Sequence, residues 1–400
     1  MELVLSPIDA PAGAAAPVEV VERKGLGHPD TLCDALAEEL SRNLSRFYLE
    51  RFERILHHNV DKALLFGGAS QPAFGGGKIT APMELYLAGR ATTAVGGAPL
   101  PVEELVVEGS RRWLRNHLRA LDAERHILIH PRLRSGSLDL VELFERADAA
   151  GAVPRANDTS CGVGYAPASE LEQLVQRVER WITSDAARAP EWGEDVKVMG
   201  IRHGRRIALT VACAFVDRHV ADLADYVEKK ARLRQGIEAQ ARHTTRCELE
   251  VSINAADDPA RENLYLTVTG ISAEAGDDGQ AGRGNRLNGL ITPYRPMTME
   301  SVAGKNPVTH VGKLYNVLAD AIAADLVREI PEIREAECRL VSQIGRRIDD
   351  PQLAHVAVRR EGSTPDATLA PRVERIVREH LAGAATLWRG LVAGEIRLGL

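Results

Sequence analysis

The sequence predicts an α+β protein whose domains are built on mixed or antiparallel sheets packed with helices. Strand pairs followed by helices recur loosely, about three times along the chain. The apolar residues alternate in some segments and follow helical spacing in others, so both element types are present. A chain of 400 residues is long enough for two or three domains with cores of their own.

Composition and charge exclude several classes of protein. A net charge of −6 argues against a general nucleic-acid binder, which needs a basic face. The 17 residues at the N-terminus are rich in Ala and Pro and predict a loose tail, not a signal peptide. No apolar run approaches membrane-spanning length. The cysteines are far apart and form no C-x-x-C, which argues against zinc and disulfides and predicts a reducing cytoplasm: Cys33, Cys161, Cys213, Cys247 and Cys338.

The first elements bring a glycine loop to the start of a helix. Val18 to Glu22 is a strand candidate, and the segment RKGLGHPD follows it. Apolar residues at helical spacing then continue as far as Phe52. Pro29 suits the first helical position because no N–H is needed there. The free N–H groups and the dipole of such a helix end attract anions.

The other elements follow from the same periodicities. Strands are predicted at 63–66, 83–87, 127–129, 207–215, 249–253, 264–268 and 338–342, with 195–197 opening a strand region. Helices are predicted at 102–121, 171–182, 222–243, 311–326 and 373–381. Between them lie polar loops at 132–139 and 157–165.

The chain is organised around the stretch from Gly270 to Lys313, which fits no regular period and predicts an ordered functional loop. Its glycines let the backbone approach a ligand. Its cations, its two aspartates and its bare N–H groups are what a polyphosphate with a hard cation requires. A disordered linker is the alternative, although a linker rarely carries this set: Asp277, Asp278, Arg283, Arg286, Arg295 and Lys305.

Several short motifs have a structural and a functional interpretation. His28 stands at the mouth of the anion-binding helix end, and Asp30 in its first turn either holds Mg²⁺ or complements the helix dipole. Capping alone also explains both residues. Asp195 and Lys197 point to the same side of a strand, as a nucleotide-binding pair or as an exposed ion pair. The P-loop and the Rossmann fingerprint are absent, so any nucleotide is held differently.

Together these segments resemble S-adenosylmethionine synthetases (methionine adenosyltransferases), specifically the archaeal-type branch. The resemblance runs from about Val18 to Gly345. It is carried by ERKGLGHPDTLCD, RILHHNVDKALLFGG, AGRATT, NDTSCGVGYAP, GEDVKVMG, CAFVDR, NAADDP and the whole central stretch. Each segment is weak or moderate alone, and in this order they are very specific.

The resemblance implies three similar α+β domains with pseudo-threefold symmetry. We divide the chain approximately into the tail at 1–17 and domains at 18–155, 156–270 and 271–400, with interleaving expected. It also implies a homodimer, with a tetramer possible, whose active sites lie at the interface. The implied reaction converts ATP, L-methionine and water into S-adenosylmethionine, diphosphate and phosphate, with Mg²⁺ and usually K⁺.

The resemblance also implies residue roles by position. His28 resembles the histidine that stabilises the leaving oxygen, and Asp30 and Glu22 the metal-site carboxylates. Asp158 and Asp277 match aspartates near methionine and adenosine. Lys197, Arg283 and Lys305 resemble the catalytic cations on the phosphates. The remaining ATP contacts implied are Asp195, Arg286, Ser135, Gly136, Ser137, Leu138 and Asp139.

The chain departs from the bacterial and eukaryotic branch at several positions. Thr31 stands where that branch has Lys, Gly284 where it has a second cation, and Ala69 where it has a methionine-binding glutamate. Its second metal aspartate has no match near Val311, so a carboxylate from elsewhere is needed. Two other functions remain open from the sequence: an ATP-using phosphotransferase or triphosphatase, and a non-catalytic nucleotide-binding regulator.

Overall fold

Three mixed sheets, each packed with helices, form the fold of this computed structural model. The structure describes residues 1–9, 16–136, 153–184, 189–361 and 366–399. The helices are α1 Pro29–Phe52, α2 Val102–His117, α3 Glu170–Thr183, α4 Leu223–Arg242, α5 Val311–Glu329, α6 Asp366–Ala382 and α7 Leu387–Ala393. None of these helices is long and apolar enough to cross a bilayer.

The strands of the described segments belong to three large sheets and two short hairpins. The β3 sheet consists of β3 His58–Phe66, β6 Met83–Ala91, β9 Ile127–Arg134 and β15 Gly279–Gln280. The β12 sheet consists of β2 Val18–Lys24, β11 Trp192–His203, β12 Arg206–Val216, β13 Glu248–Ile253 and β14 Leu266–Thr267. The β16 sheet consists of β1 Glu2–Pro7, β10 Cys161–Ala166, β16 Ile333–Val341 and β17 Leu353–Arg360. The hairpins are β4 Ala69–Gln71 with β5 Lys78–Ala81, and β7 Ala94–Val95 with β8 Ala98–Pro99.

The three large sheets share one plan of pairing. In each, a central antiparallel pair carries a parallel strand on one side and an antiparallel strand on the other. Each has its own cluster of buried apolar residues, to which its helices contribute: α1 and α2, α3 and α4, or α5 and α6. The prediction of an α+β fold with three similar units is therefore confirmed.

Each sheet joins strands that are distant along the chain. In the β16 sheet, β10 pairs with β16, and β1 pairs in parallel with β17. Residues 2–7 are thus an edge strand, and the prediction of a loose tail over this part is wrong. The composition of these residues does not reveal the strand, because the strand with which they pair lies some 350 positions later in the sequence. The three consecutive domain ranges stay a prediction.

Most predicted elements are present, with shifted ends. Helix α1 ends at Phe52 as its leucine spacing predicted, whereas α2 ends at His117, not at residue 121. The sequence missed β17 and α7, and the prediction of a polar loop at 157–165 is wrong from residue 161 onward, where strand β10 begins. In strand β17, LAHVAVRR, the two valines favour a strand but the two alanines and two arginines do not, so its identity depends on burial between β1 and β16.

Two glycines of β10 let helix α5 pack directly on the β16 sheet. A Cβ on Gly162 would lie 2.1 Å from the carbonyl carbon of Tyr315, and one on Gly164 would lie 2.2 Å from the backbone nitrogen of Asp320. Backbone atoms of a helix cannot move aside as a flexible side chain does. These glycines therefore set the distance between β10 and α5.

We predict that Gly164→Ala lowers the free energy of unfolding by about 1–3 kcal/mol, because the added methyl overpacks the contact with α5. Denaturant-induced unfolding followed by circular dichroism measures this. Gly383→Ala is the matched control, since its Cβ would meet its nearest neighbour, the His380 carbonyl, at an ordinary 3.4 Å. Equal stability of the two variants would refute the packing argument.

Candidate functional site

The glycine loop before α1 packs directly against strand β11. The N–H groups of Gly25 and Gly27 donate to the carbonyls of Val196 and Glu194. A Cβ on Gly27 would lie 2.5 Å from the backbone of Glu194 and Asp195, so no other residue fits this approach. The loop thereby holds the N-terminus of α1 beside the strand that carries Asp195 and Lys197.

His28 is the N-cap residue of α1, and its ring is neutral. Its Nδ1 accepts a hydrogen bond of 3.2 Å from the N–H of Asp30. Burial, together with the positive charge of Lys24, lowers its pKa to about 4, although Asp30 acts in the opposite direction. Because Nδ1 is the acceptor, the single ring proton of the neutral form is on Nε2. His28 therefore offers a hydrogen-bond donor at a helix end that favours anions.

Asp30 and Glu22 are paired with lysines. Lys24 Nζ lies 2.8 Å from Asp30 Oδ2, and the N–H of Gln280 donates to Asp30 Oδ1 at 2.9 Å. Burial alone would raise the pKa of Asp30, but these two hydrogen bonds lower it, so the carboxylate is ionised. Lys197 Nζ lies 3.3 Å from Glu22 Oε1, and its side chain is 40 % exposed. Lys197 is thus within reach of a ligand.

Asp195 and Asp277 are joined by Ser272. The Ser272 Oγ lies 2.5 Å from Asp195 Oδ2 and 3.2 Å from Asp277 Oδ2, and its N–H also donates to Asp195. Burial raises the pKa of Asp195 to about 6, and the nearby charge of Asp277 adds to this rise. A single hydroxyl proton serves one carboxylate at a time, so Asp277 keeps acceptor sites free. We call this cluster the His28 group. It consists of Glu22, Lys24, His28, Asp30, Asp195, Lys197, Ser272 and Asp277.

The two predicted phosphate arginines differ in availability. Arg283 is exposed, and its guanidinium has no ion pair within the part of the chain that the structure describes. Its carbonyl accepts a hydrogen bond from Lys24, which ties the central loop to the His28 group. Arg286 instead donates from Nη2 to the carbonyls of Gly282 and Gly284, so it braces the loop. The phosphate role of Arg286 stays a prediction.

A second cluster forms around Lys305, which is only 3 % exposed. Its Nζ lies 2.6 Å from Asp61 Oδ2 and 2.9 Å from Glu300 Oε1. Asp158 belongs here too: burial raises its pKa, as does the charge of Glu300. Asp158, Glu300 and His310 place one potential ligand atom each within 4.8 Å of one another. We call these five residues the Lys305 group.

His310 has the same arrangement at α5 as His28 has at α1. It is the N-cap residue, and its Nδ1 accepts from the N–H of Gly312 at 3.2 Å. Burial, with the charge of Lys305, lowers its pKa to about 3, so the ring is neutral and its proton is on Nε2. In this state His310 is a donor, which leaves the carboxylates of Asp158 and Glu300 as the better ligands for a hard cation.

The two groups lie toward opposite ends of strand β3. Gln280, which binds Asp30, pairs with Leu64, whereas Lys305 bridges to Asn59. At roughly 3.3 Å per residue, the five steps between these positions span about 17 Å. The structure thus brings Glu22, His28, Asp30, Asp195, Lys197, Asp277 and Arg283 together at one end, and Asp158 with Lys305 at the other.

The predicted ATP contact after β9 lies at the Lys305 end. Ser135 Oγ is 2.8 Å from Thr93 Oγ1, and the Ser135 carbonyl accepts from Arg90, which pairs with Asn59. Gly136 is the last residue described in this segment. The other three predicted contacts lie outside the described residues: Ser137, Leu138 and Asp139.

Sequence reasoning missed five residues of these groups, one of which is Asp61 on β3. Lys24 alternates with Glu22 on β2, so the period of two was a signal that could have found it. Ser272, Glu300 and His310 all lie in the central stretch singled out above. Nothing local distinguishes them from other polar loop residues, because Ser272 contacts Asp195 on β11, and Glu300 and His310 lie near Asp158 in the loop before β10.

Comparison with known proteins identifies the family. The family profile described as S-adenosylmethionine synthetase (AdoMet synthetase) matches residues 2–395. A probable S-adenosylmethionine synthase of Aquifex aeolicus is 52% identical over 94% of both chains. An S-adenosylmethionine synthase of Aeropyrum pernix is 49% identical over 95% of both chains.

A solved structure shares the fold. An unusual S-adenosylmethionine synthetase from Campylobacter jejuni superposes with a TM-score of 0.60 over 96% of this chain and 94% of that chain, at 14% identity. This likeness concerns the fold alone. The molecule thus combines three α+β units with two polar groups at helix N-termini. The chain belongs to the S-adenosylmethionine synthetase family, as the resemblance predicted.

We predict that Lys305→Met lowers the free energy of unfolding by about 3–5 kcal/mol, because it leaves the buried carboxylate of Asp61 without its buried partner and with only the exposed Lys62 beside it. Chemical denaturation measures the loss. Lys62 is the other lysine that pairs with Asp61, and its side chain is 71% exposed. We expect the control Lys62→Met to lower the free energy of unfolding by about 1 kcal/mol or less.

The double variant Lys305→Met/Asp61→Asn tests the cause of that loss. It should recover part of the lost stability, since no unpaired charge remains at Asp61. A double variant as unstable as Lys305→Met would show that the ion pair is not the reason.

Proposed function

We propose that this chain is a methionine adenosyltransferase, which converts ATP, L-methionine and water into S-adenosylmethionine, diphosphate and phosphate. Family membership supports the overall reaction. The observation that carries the chemistry is the neutral Nε2–H of His28 at a helix N-terminus beside Lys197. A hydrogen-bond donor and a positive charge at this point stabilise a leaving group whose negative charge increases as its bond to C5′ breaks.

The difficult part of the reaction is the departure of the leaving group, the tripolyphosphate. The methionine sulfur attacks C5′ of ATP, the bond from C5′ to oxygen breaks, and its electron pair stays on the tripolyphosphate. The sulfur carries no proton, so no general base is needed. Water then cleaves the bound tripolyphosphate. Preorganised donors and cations are therefore what the protein must supply, which agrees with the composition of both groups.

We assign roles on this basis. His28 donates its Nε2 proton in a hydrogen bond to the oxygen that leaves C5′, while Lys197 and Arg283 contact the phosphates. Lys305 also stabilises the negative charge of the phosphates, and its ion pairs with Asp61 and Glu300 fix the position of its ammonium group. Asp158 and Asp277, which keep free acceptor oxygens, bind the ammonium of methionine or hydroxyls of adenosine. Arg286 and the segment 135–139 complete the ATP contacts.

The carboxylates fit a divalent cation such as Mg²⁺. Asp30 is ionised, and Glu22 lies beside it with Lys24 between them. Glu300, which lies near Asp158 and His310, supplies a further oxygen ligand in place of the aspartate missing near Val311. Bound Mg²⁺ would neutralise charge on the phosphate oxygens. K⁺ remains part of the proposal through the family resemblance, without assigned ligands.

We propose that two copies share each site, because one copy holds its two polar groups about 17 Å apart along β3. The face of the β3 sheet that points away from its helices exposes large apolar side chains: Leu64 at 46%, Phe66 at 55% and Leu128 at 44%. Such a patch is typical of a protein interface. A two-fold contact over this face brings the His28 end of one copy to the Lys305 end of the other, twice. Pairing of dimers into tetramers remains possible.

A reducing cytoplasm is the proposed location. All five cysteines are free, and three of them are buried in the three cores: Cys33, Cys213 and Cys338. This usage is typical of a compartment that keeps thiols reduced.

We predict that His28→Asn reduces kcat about 10²–10³-fold, because Asn retains the cap of α1 but removes the Nε2 donor. The assay is formation of the sulfonium product, followed by mass spectrometry, with KM for ATP determined in parallel. Ser169→Asn makes a similar exchange at the cap of α3 and should leave kcat within about 2-fold. A His28→Asn enzyme whose ATP binding falls as much as its kcat would contradict the assignment.

We predict that two inactive variants restore activity when their subunits exchange. Lys197→Ala disables the His28 end and Asp158→Asn the Lys305 end, so a mixed dimer has one site with both defects and one intact site. Statistical mixing should give about one quarter of wild-type activity. Native mass spectrometry verifies that mixed dimers are present. If they are present and inactive, the shared-site proposal is wrong.

A further inference from the structure

A large cleft lies where the three units meet, on the helical side of the molecule. Its volume is about 490 Å³, within the usual range of 300–1,000 Å³ for small-molecule sites. Its walls come from α1, α2, α3 and the segment from Leu391 to Gly399. The cleft contains none of the residues assigned to the reaction above.

The cleft has a surplus of positive charge. Each carboxylate in its wall already has a cation as partner: Glu38 with Lys313 at 2.7 Å, Glu39 with Arg42 at 3.4 Å and Glu179 with Arg23. Arg180 and Arg397 also line the cleft, and neither has an ion pair among the residues that the structure describes. Two guanidinium groups are thus left for an anion.

These two arginines line the same cleft, near enough for the charge of one to act on the other. Partial burial lowers the pKa of Arg180, and the positive charges of Arg23 and Arg397 lower it further, although the carboxylate of Glu179 acts in the opposite direction. Neighbouring guanidinium groups repel each other unless an anion lies between them. Because the guanidinium fork matches the oxygens of a phosphate, such a pair is suited to a phosphate group.

An aromatic pair forms another part of the wall. The rings of Trp113 and His117 on α2 stack with centroids 4.2 Å apart and an interplanar angle of 16°. His117 is held by a 2.7 Å contact between its Nδ1 and the Trp113 carbonyl. Both residues line the cleft, and His117 is exposed. A fixed, flat surface of this kind suits stacking with a planar ring.

We propose that this cleft binds a small organic phosphate with a planar ring, with the phosphate on Arg180 and Arg397 and the ring on the Trp113–His117 pair. The phosphate group fits the two unpaired cations, and the ring fits the aromatic wall. The proposal goes beyond the transferase reaction and does not depend on it, since the lining residues take no part in that reaction.

Calorimetric titration with AMP tests the proposal. We expect AMP to bind the wild-type protein and the Lys197→Ala variant with similar affinity, which separates the cleft from the proposed ATP site. Arg180→Gln/Arg397→Gln should weaken AMP binding at least about 10-fold. Arg177→Gln/Arg389→Gln is the matched control, because it removes the same charge from exposed positions on α3 and α7 that do not line the cleft.

Three results would overturn the proposal. One is AMP binding that is equal in the cleft variant and the control variant. Another is AMP binding that is lost in Lys197→Ala, since AMP would then occupy only the proposed ATP site. The third is no AMP binding up to on the order of 10 mM.

The ring and the phosphate are tested separately with inorganic phosphate and adenosine as probes. We expect each to bind at least about 10-fold more weakly than AMP, because each makes only part of the contacts. Trp113→Leu should reduce AMP affinity to that of inorganic phosphate. Inorganic phosphate that binds wild type as tightly as AMP would refute the planar-ring part of the proposal.

Discussion

The hydrogen bond from the N–H of Asp30 to Nδ1 of His28 is the interaction on which the proposed chemistry depends. It fixes the tautomer, directs Nε2–H away from the helix, and uses one of the N–H groups that a helix start leaves unpaired. Burial keeps the ring neutral at physiological pH. A neutral donor does not have to lose a proton or reorganise when charge develops on a nearby oxygen. The same bond that starts helix α1 therefore prepares the site.

The three units use equivalent helix starts differently. Helices α1 and α5 are capped by the neutral rings of His28 and His310, each with a proton on Nε2. Helix α3 has a capping box instead, in which Ser169 and Glu172 satisfy each other's backbone N–H groups. The fully buried Glu172 also contacts Tyr165 and Arg295. The third position is thus closed by its own side chains, whereas at the other two a neutral histidine keeps an Nε2–H donor beside the His28 group and the Lys305 group.

The sequence predicted those parts that local rules decide. Pro29 and the leucine spacing predict α1, and Gly25 and Gly27 predict a loop that approaches a neighbour closely. The contacts that complete the groups are long-range. Ser272 becomes a bridge only because it lies against Asp195, 77 positions earlier, and Lys305 becomes a buried cation only because Asp61 lies 244 positions before it. No period or motif in one segment encodes such distances.

Strand β2 separates the His28 group from the cleft. Its side chains alternate, so Glu22 and Lys24 point to the His28 group while Arg23, between them, contacts Glu179 and the carbonyl of Gly289 on the cleft side. The strand is paired along β11 and bridged to Ile291. The two sites therefore use opposite faces of one strand, with Arg23 held by Glu179 on the cleft side and Lys24 held by Asp30 on the other.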